Sequence, residues 1–125
     1  MPKEFETKRV LVTGAASGIG QAQAIAFAEQ GAEVIGIDLD ETGLKQTAAL
    51  VNLDSTKPFT YFVGDVSSPS FVQATMKQIV KDNGQIDILL NTAGILDDYR
   101  PSLETSEALW DQILATNLKS VFLVT

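Results

Sequence analysis

The chain contains no cysteine and no histidine. Without cysteine there is no disulfide, no thiolate nucleophile and no cysteine-held zinc. Without histidine, Ser-His-Asp catalysis and imidazole-bound metals are excluded as well. Any proton chemistry therefore falls to tyrosine, lysine, carboxylates or water. Positive charge is also scarce, with 9 Lys and Arg against 16 Asp and Glu and a net charge of −7. That balance opposes nucleic acid as a partner, because phosphates are held by Lys and Arg. It reads as a solubilising surface. No apolar run approaches the roughly 20 residues that span a bilayer. Charges interrupt the N-terminal "MPKEFETKRV", so no signal core is present. A cytoplasmic protein that does not enter the membrane is expected.

What is present is a rhythm. Across 125 residues, 45% of them hydrophobic and 20% charged, short apolar runs alternate with longer amphipathic segments. Strands are expected over residues 9–14 ("RVLVTG"), 32–38 ("AEVIGID"), 58–65 ("PFTYFVGD") and 86–94 ("IDILLNTAG"). Between them, residues 18–30 carry Ile19, Ala22, Ile25 or Ala26, and Glu29 at helical spacing, and Gly31 ends the helix. Residues 41–53 place Leu44, Thr47 or Ala48, and Val51 on one face. A third helix is capped by Ser68, takes Pro69 in its first turn, and ends at Gly84. Its stripe is Phe71, Val72, Thr75, Met76, Ile79 and Val80, with Lys77 and Lys81 favouring the C-terminal dipole. One last helix is expected over residues 105–125. Strands alternating with helices in this way predict an α/β fold with a parallel sheet covered on both faces.

Three glycines, Gly14, Gly18 and Gly20, follow the first strand in "VTGAASGIG". Glycine inside an element costs about 0.5–1 kcal/mol relative to alanine, so the cluster needs a reason. One reason is a tight turn with no ligand. The other is a cradle: backbone N–H groups close on a pyrophosphate that sits at the positive end of the helix. Asp38 ends the second strand, eighteen residues after Gly20. A dinucleotide-binding unit places an acid there for the adenosine ribose hydroxyls, though such a residue can also cap the next helix. A carboxylate accepts from a diol and repels a 2′-phosphate, and Ala16 and Leu39 supply no cation. The expected cofactor is NAD in preference to NADP.

The spacing here is T-G-x-x-x-G-I-G, and with it the sequence resembles the short-chain dehydrogenase/reductase family. "TGAASGIG" matches that family's cofactor loop, which implies contacts from Gly14, Ser17, Gly18, Ile19 and Gly20. Asp38 and the neighbouring Leu39 are expected among the cofactor-binding residues as well. "GDVS" is similar to the adenine-contacting segment, implying Asp65 on the adenine amino group and Val66 beside the ring. "NTAG" resembles the NNAG motif, implying Asn91, Ala93 and Gly94, with Thr92 departing from the commoner Asn. "ATNLKSVFLVT" resembles the helix bearing the catalytic asparagine, here Asn117, which would organise a water near a catalytic lysine. The implied fold is a Rossmann-like doubly wound parallel sheet.

Asn117 also stands out by position. It lies on the stripe of Trp110, Ile113, Leu114, Leu118, Val121 and Phe122. An amide on a buried face needs hydrogen bonds, so a core asparagine bonding a backbone carbonyl is the other reading. The adjacent Asp97 and Asp98 read as solvated loop acids and no metal site is expected. Asp54 and Asp82 read as turn residues, Tyr61 as packing and Tyr99 as a loop residue.

The family's chemistry is hydride transfer between nicotinamide and a carbonyl or alcohol carbon, with Tyr-x-x-x-Lys moving the proton. Four residues after Tyr61 stands Asp65, and four after Tyr99 stands Leu103, so neither fits. The expectation is that residues 1–125 are the N-terminal part of a single NAD-binding domain, truncated after the fourth strand and fourth helix. Alone, the chain should be inactive. It should self-associate, or be marginally stable, through the fourth strand and last helix. The wording of the motifs resembles 3-oxoacyl-carrier-protein reductases of fatty acid biosynthesis, implying a small carbonyl or alcohol substrate and a homo-oligomer, dimer or tetramer. Two other functions fit parts of the pattern. A non-catalytic NAD-binding or sensing module fits the cradle. A methyltransferase-like fold shares the loop and the acid but leaves "NTAG" and "TNL" without a role.

Overall fold

Each apolar run forms a short strand whose side chains alternate between two faces. The computed structural model describes residues 3–53, 55, 57–96 and 99–125, so Asp54, Asp97 and Asp98 lie outside the described residues. The strands are β1 (Arg9–Thr13), β2 (Glu33–Asp38), β3 (Thr60–Val63) and β4 (Ile88–Asn91). All pairs are parallel and the order is β3-β2-β1-β4. The helices are α1 (Gly18–Glu29), α2 (Glu41–Val51), α3 (Pro69–Asn83), α4 (Glu107–Leu114) and α5 (Ser120–Val124). A 3₁₀ turn occupies Ser102–Glu104, and a π-helical turn, Ala115–Lys119, joins α4 to α5.

The alternation sorts the core into two layers. Val10, Val12 and Val34 pack with Ala24 and Ala28 of α1 and Leu44 and Val51 of α2. Leu11, Ile35 and Ile37 pack on the other face with Val72 and Ile79 of α3 and Val124 of α5. The sheet is thus doubly wound, with helices on both sides. Three parallel strands lead outward from β1 to β3, and the chain then returns to set β4 on the opposite side of β1. The order reverses between β1 and β4, and ligands of such sheets bind in the crevice beyond the carboxyl ends there. Thr13 closes β1 in register with both Ile37 and Asn91, which brings those ends together.

Several expectations need correcting. The buried face of α1 is Gly20, Ala24 and Ala28, while Ile19 stands 72% exposed and Ala22 is exposed. Small residues let α1 lie close on the sheet, while Ile25 and Phe27 pack half-buried against the same core. The last helix is not continuous, because the π turn divides it, and its stripe is not buried. Trp110, Leu118 and Phe122 are 57%, 66% and 79% exposed. On α3 Val72, Thr75 and Ile79 are buried and Phe71 and Met76 pack half-buried against the same core, so only Val80 leaves the expected stripe, and Asp82 lies inside α3 rather than in a turn. The strands are also shorter than expected by up to five residues, the most in β4, which begins at Ile88 and ends at Asn91, ahead of Thr92, Ala93 and Gly94. Ser68, Pro69 and Gly84 bound α3 as the sequence predicts, and Tyr61 stacks at a tilt beside Phe59.

Candidate functional site

The turn out of β1 is built by backbone. Gly14 has φ +73°, and a side chain there would sit 2.9 Å from the Ala93 Cα. A Cβ at Gly20 would come within 2.0 Å of the Gly14 carbonyl oxygen, so α1 starts pressed against the turn. Gly18 differs. Its φ is +55°, a conformation that disfavours side chains, yet a Cβ there would meet nothing within 4 Å. The loop is closely packed beneath and open at Gly18.

The first loop N–H groups are already committed. Gly14 N–H donates to the Ile37 carbonyl at 2.8 Å, and Ala16 N–H donates to Asp38 Oδ2 at 3.0 Å. Beyond them begins α1, and its N-cap Ser17 makes no side-chain capping bond. The other three long helices are capped: α2 by Asp40, α3 by Ser68 and α4 by Ser106. The first turn of α1 also has no acidic residue. A twelve-residue helix therefore points an uncompensated positive end, with its orphan N–H groups, at the space beside Gly18. That is the arrangement that holds an anion.

Along the strand ends lies a groove of about 140 Å³. Gly14 lines it just after β1, Asp38 and Leu39 at the end of β2, Asp65 and Val66 after β3, and Ala93 and Gly94 after β4. It is small beside the roughly 300–1,000 Å³ of enclosed ligand sites. Asp38 does not cap α2, since Asp40 does that through Gly43 N–H at 3.1 Å. Its Oδ1 instead accepts Asp40 N–H at 3.1 Å. Asp65 Oδ1 accepts both the N–H and the hydroxyl of Ser67, at 2.8 and 2.7 Å, which fixes the turn after β3. Val66 lines the groove and is also part of the core. Leu39 is 65% exposed at the rim. Ser17, Gly18, Ile19 and Gly20 sit at the α1 end, and Asn91 is exposed at the end of β4 without lining the groove.

The β4 side is tied down from two directions. Thr13 Oγ1 accepts N–H bonds from Thr92 and Ala93, both at 3.1 Å. The Thr92 hydroxyl donates to Gln23 Oε1 of α1 at 2.6 Å, which gives the Asn-to-Thr departure a partner. Asn117 sits in the π turn and is exposed, not on a buried face as expected. Its amide pairs with one backbone residue twice: Ile95 N–H donates to Oδ1 at 2.7 Å, and Nδ2 donates to the Ile95 carbonyl at 2.9 Å. The structure thus carries the backbone-bonding alternative for this side chain.

Sequence reasoning did not single out Ile37, Gly64, Ile95 and Thr116, which complete the groove. Gly64 lies inside "GDVS" and was within reach of that motif, whereas Ile95 and Thr116 carry no spacing signal. A larger hollow of about 380 Å³ opens beside α4, between Arg100 and Trp110, but contains none of the expected residues. Among the described residues no group of three or more acids is placed to hold a metal ion, and no helix is long and apolar enough to cross a membrane.

The short chain dehydrogenase family model matches residues 8–125. D-threitol dehydrogenase of Mycolicibacterium smegmatis is 41% identical over 120 residues, covering 96% of this chain and 45% of that protein. An uncharacterized oxidoreductase of Thermotoga maritima is 39% identical, covering 96% and 46%. Among solved structures, NAD+-bound xylitol dehydrogenase aligns with a TM-score of 0.91 at 32% identity, over 98% of this chain and 46% of that one. A chain described as a short chain dehydrogenase from Shigella flexneri, complexed with NADP, aligns with a TM-score of 0.93 at 28% identity, over 100% and 53%. The chain spans about half the length of these relatives.

Proposed function

The chain belongs to the short-chain dehydrogenase family, and on that premise we propose that it forms the NAD-binding part of an oxidoreductase interconverting a carbonyl and an alcohol. The observation that carries the reading is the uncapped α1 N-terminus beside a carboxylate, Asp38, at the sheet's reversal point. These residues fit a dinucleotide. Backbone N–H groups of Ser17, Gly18, Ile19 and Gly20 hold the diphosphate, and Gly14 lets the chain pass beneath it. Asp38 accepts the ribose hydroxyls, since each oxygen retains a lone pair beyond its one backbone bond. Leu39 and Val66 flank the adenine and Asp65 accepts its amino group. Asn91, Ala93 and Gly94 lead toward the nicotinamide end, where Asn117 holds the backbone at Ile95 and organises a water. When bound, the cofactor supplies the hydride acceptor or donor.

In this reading the Tyr-x-x-x-Lys pair lies in chain that follows Thr125, and the 125 residues alone turn nothing over. Relatives bind NAD in one structure and NADP in another. Asp38 favours NAD here, because it would face a 2′-phosphate with like charge. The substrate is a small carbonyl or alcohol. Motif wording favours a 3-oxoacyl-carrier-protein thioester, and the similarity to threitol and xylitol dehydrogenases adds polyols to the panel. The protein works in the cytoplasm as a homo-oligomer.

Titration of the full-length protein with NADH and NADPH tests the reading. NADH is expected to bind more tightly. Asp38→Ala should weaken NADH about tenfold, the worth of one charge-assisted hydrogen bond, and bring the two affinities together. Failure to bind either dinucleotide rejects the proposal. Binding without turnover of any thioester, ketose or polyol identifies a non-catalytic NAD-binding module instead.

A further inference from the structure

Behind the glycine loop, Thr47 of α2 is fully buried, and its hydroxyl has to find partners there. A threonine inside a helix ordinarily bonds the carbonyl four residues back, here Gly43, and that contact exists at 3.1 Å. The shorter bond goes elsewhere. Thr47 Oγ1 donates to the Ala15 carbonyl at 2.8 Å, thirty-two residues away in the chain. The same oxygen accepts from Gln21 Nε2 of α1 at 3.0 Å, and that amide also reaches the Ala16 carbonyl at 3.4 Å. Nothing can intervene between loop and helix, since a Cβ at Gly43 would lie 2.7 Å from both the Ala16 Cβ and its carbonyl oxygen.

In a trans peptide the C=O and the following N–H point in opposite directions. Holding the Ala15 carbonyl on Thr47 therefore turns the Ala16 N–H the other way, where it meets Asp38 Oδ2 at 3.0 Å. Holding the Ala16 carbonyl on Gln21 turns the Ser17 N–H away from Gln21 by the same logic. A flipped peptide at either place would present an oxygen in place of an N–H, and an oxygen repels an anion.

We propose that Thr47 and Gln21 are positioning residues for the dinucleotide site, fixing the two peptides on either side of Ala16 so that the loop offers donors to Asp38 and to a diphosphate. The inference rests on the reading of the loop as a diphosphate cradle. It also gives α2 a part in binding: the helix that follows the ribose-reading strand sets the peptide planes of the loop before it.

The test uses the full-length protein with Thr47→Val, Thr47→Ser and Gln21→Met. The ligands are ADP-ribose, which carries the diphosphate, and adenosine, which does not; thermal melting runs in parallel. Thr47→Val should weaken ADP-ribose about tenfold and adenosine about threefold or less, from the loss of one oriented hydrogen bond. Thr47→Ser should restore both, because the hydroxyl returns. Gln21→Met should weaken ADP-ribose by roughly threefold. If Thr47→Val does not fold, half-buried Gln21 carries the comparison alone. An equal fall in both affinities, or a lowered melting temperature with both affinities unchanged, overturns the inference and leaves the cradle standing. If the unmutated protein binds neither ADP-ribose nor NADH, the cradle itself is rejected.

Discussion

A methyl group added at Gly20 would lie 2.0 Å from the Gly14 carbonyl oxygen, whereas one added at Gly18 would meet nothing within 4 Å. The two glycines therefore fail differently. Gly20→Ala forces the turn and α1 apart, an overpacking cost of about 1–3 kcal/mol or more, and should lower the melting temperature by at least ~5 °C. Gly18→Ala carries only the penalty of a left-handed backbone, about 1–2 kcal/mol, and should fold. Its methyl would enter the space beside the α1 N-terminus, so NADH affinity should fall more than tenfold. Paired melts and titrations separate the two, and wild-type NADH affinity in Gly18→Ala would contradict the assignment. The turn glycines and the place of Asp38 at the end of β2 were legible in the sequence because a strand-turn-helix imposes that spacing on the chain. Thr47 and Gln21 were not, because a threonine and a glutamine on amphipathic helices have no fixed offset from the loop they hold.

At the scale of elements, capping distinguishes the helices. Asp40, Ser68 and Ser106 each accept an N–H at the start of their own helix, and Ser17 does not. Replacing Ser17 with aspartate supplies both a cap and a negative charge. Ser17→Asp should raise stability by about 0.5–1 kcal/mol while weakening NADH at least tenfold, since the new carboxylate occupies the anion position. A variant both more stable and equally good at binding NADH would remove α1 from the site. The positions of α2 and α3 could be read from sequence because large apolar stripes and caps agree there. The buried face of α1 could not, since its contacts are glycine and alanine, which contribute little to an apolar pattern. The break between α4 and α5 was also hidden. Apolar positions continue through it, and the π turn coincides with a tie from Asn117 to Ile95, a contact twenty-two residues apart.

The sheet as a whole was predictable from strand-helix alternation, and its order β3-β2-β1-β4 is the structure's own contribution. That order leaves β4 at an edge, beside helices whose Trp110, Leu118 and Phe122 are largely exposed. Burying such side chains is worth about 1.5–3 kcal/mol each, a large share of the 5–15 kcal/mol that holds a domain together. The 125-residue chain is accordingly expected to self-associate through this surface. Light scattering should report a mass above the monomer's, and Leu118→Asp with Phe122→Glu should lower it. A monomer with a sharp thermal transition would oppose this.

The bond from Thr13 to Thr92 and Ala93 has a consequence outside recognition. It joins segments 79 and 80 residues apart, so the site closes only when β4 has docked beside β1, an entropically demanding closure. A dinucleotide resting on both loops would hold that closure shut, adding about 2.7 kcal/mol to stability at a hundred times its dissociation constant. Folded chains would then survive proteolysis longer in a cell rich in dinucleotide. The amount of this protein would then follow the supply of the dinucleotide proposed to bind it.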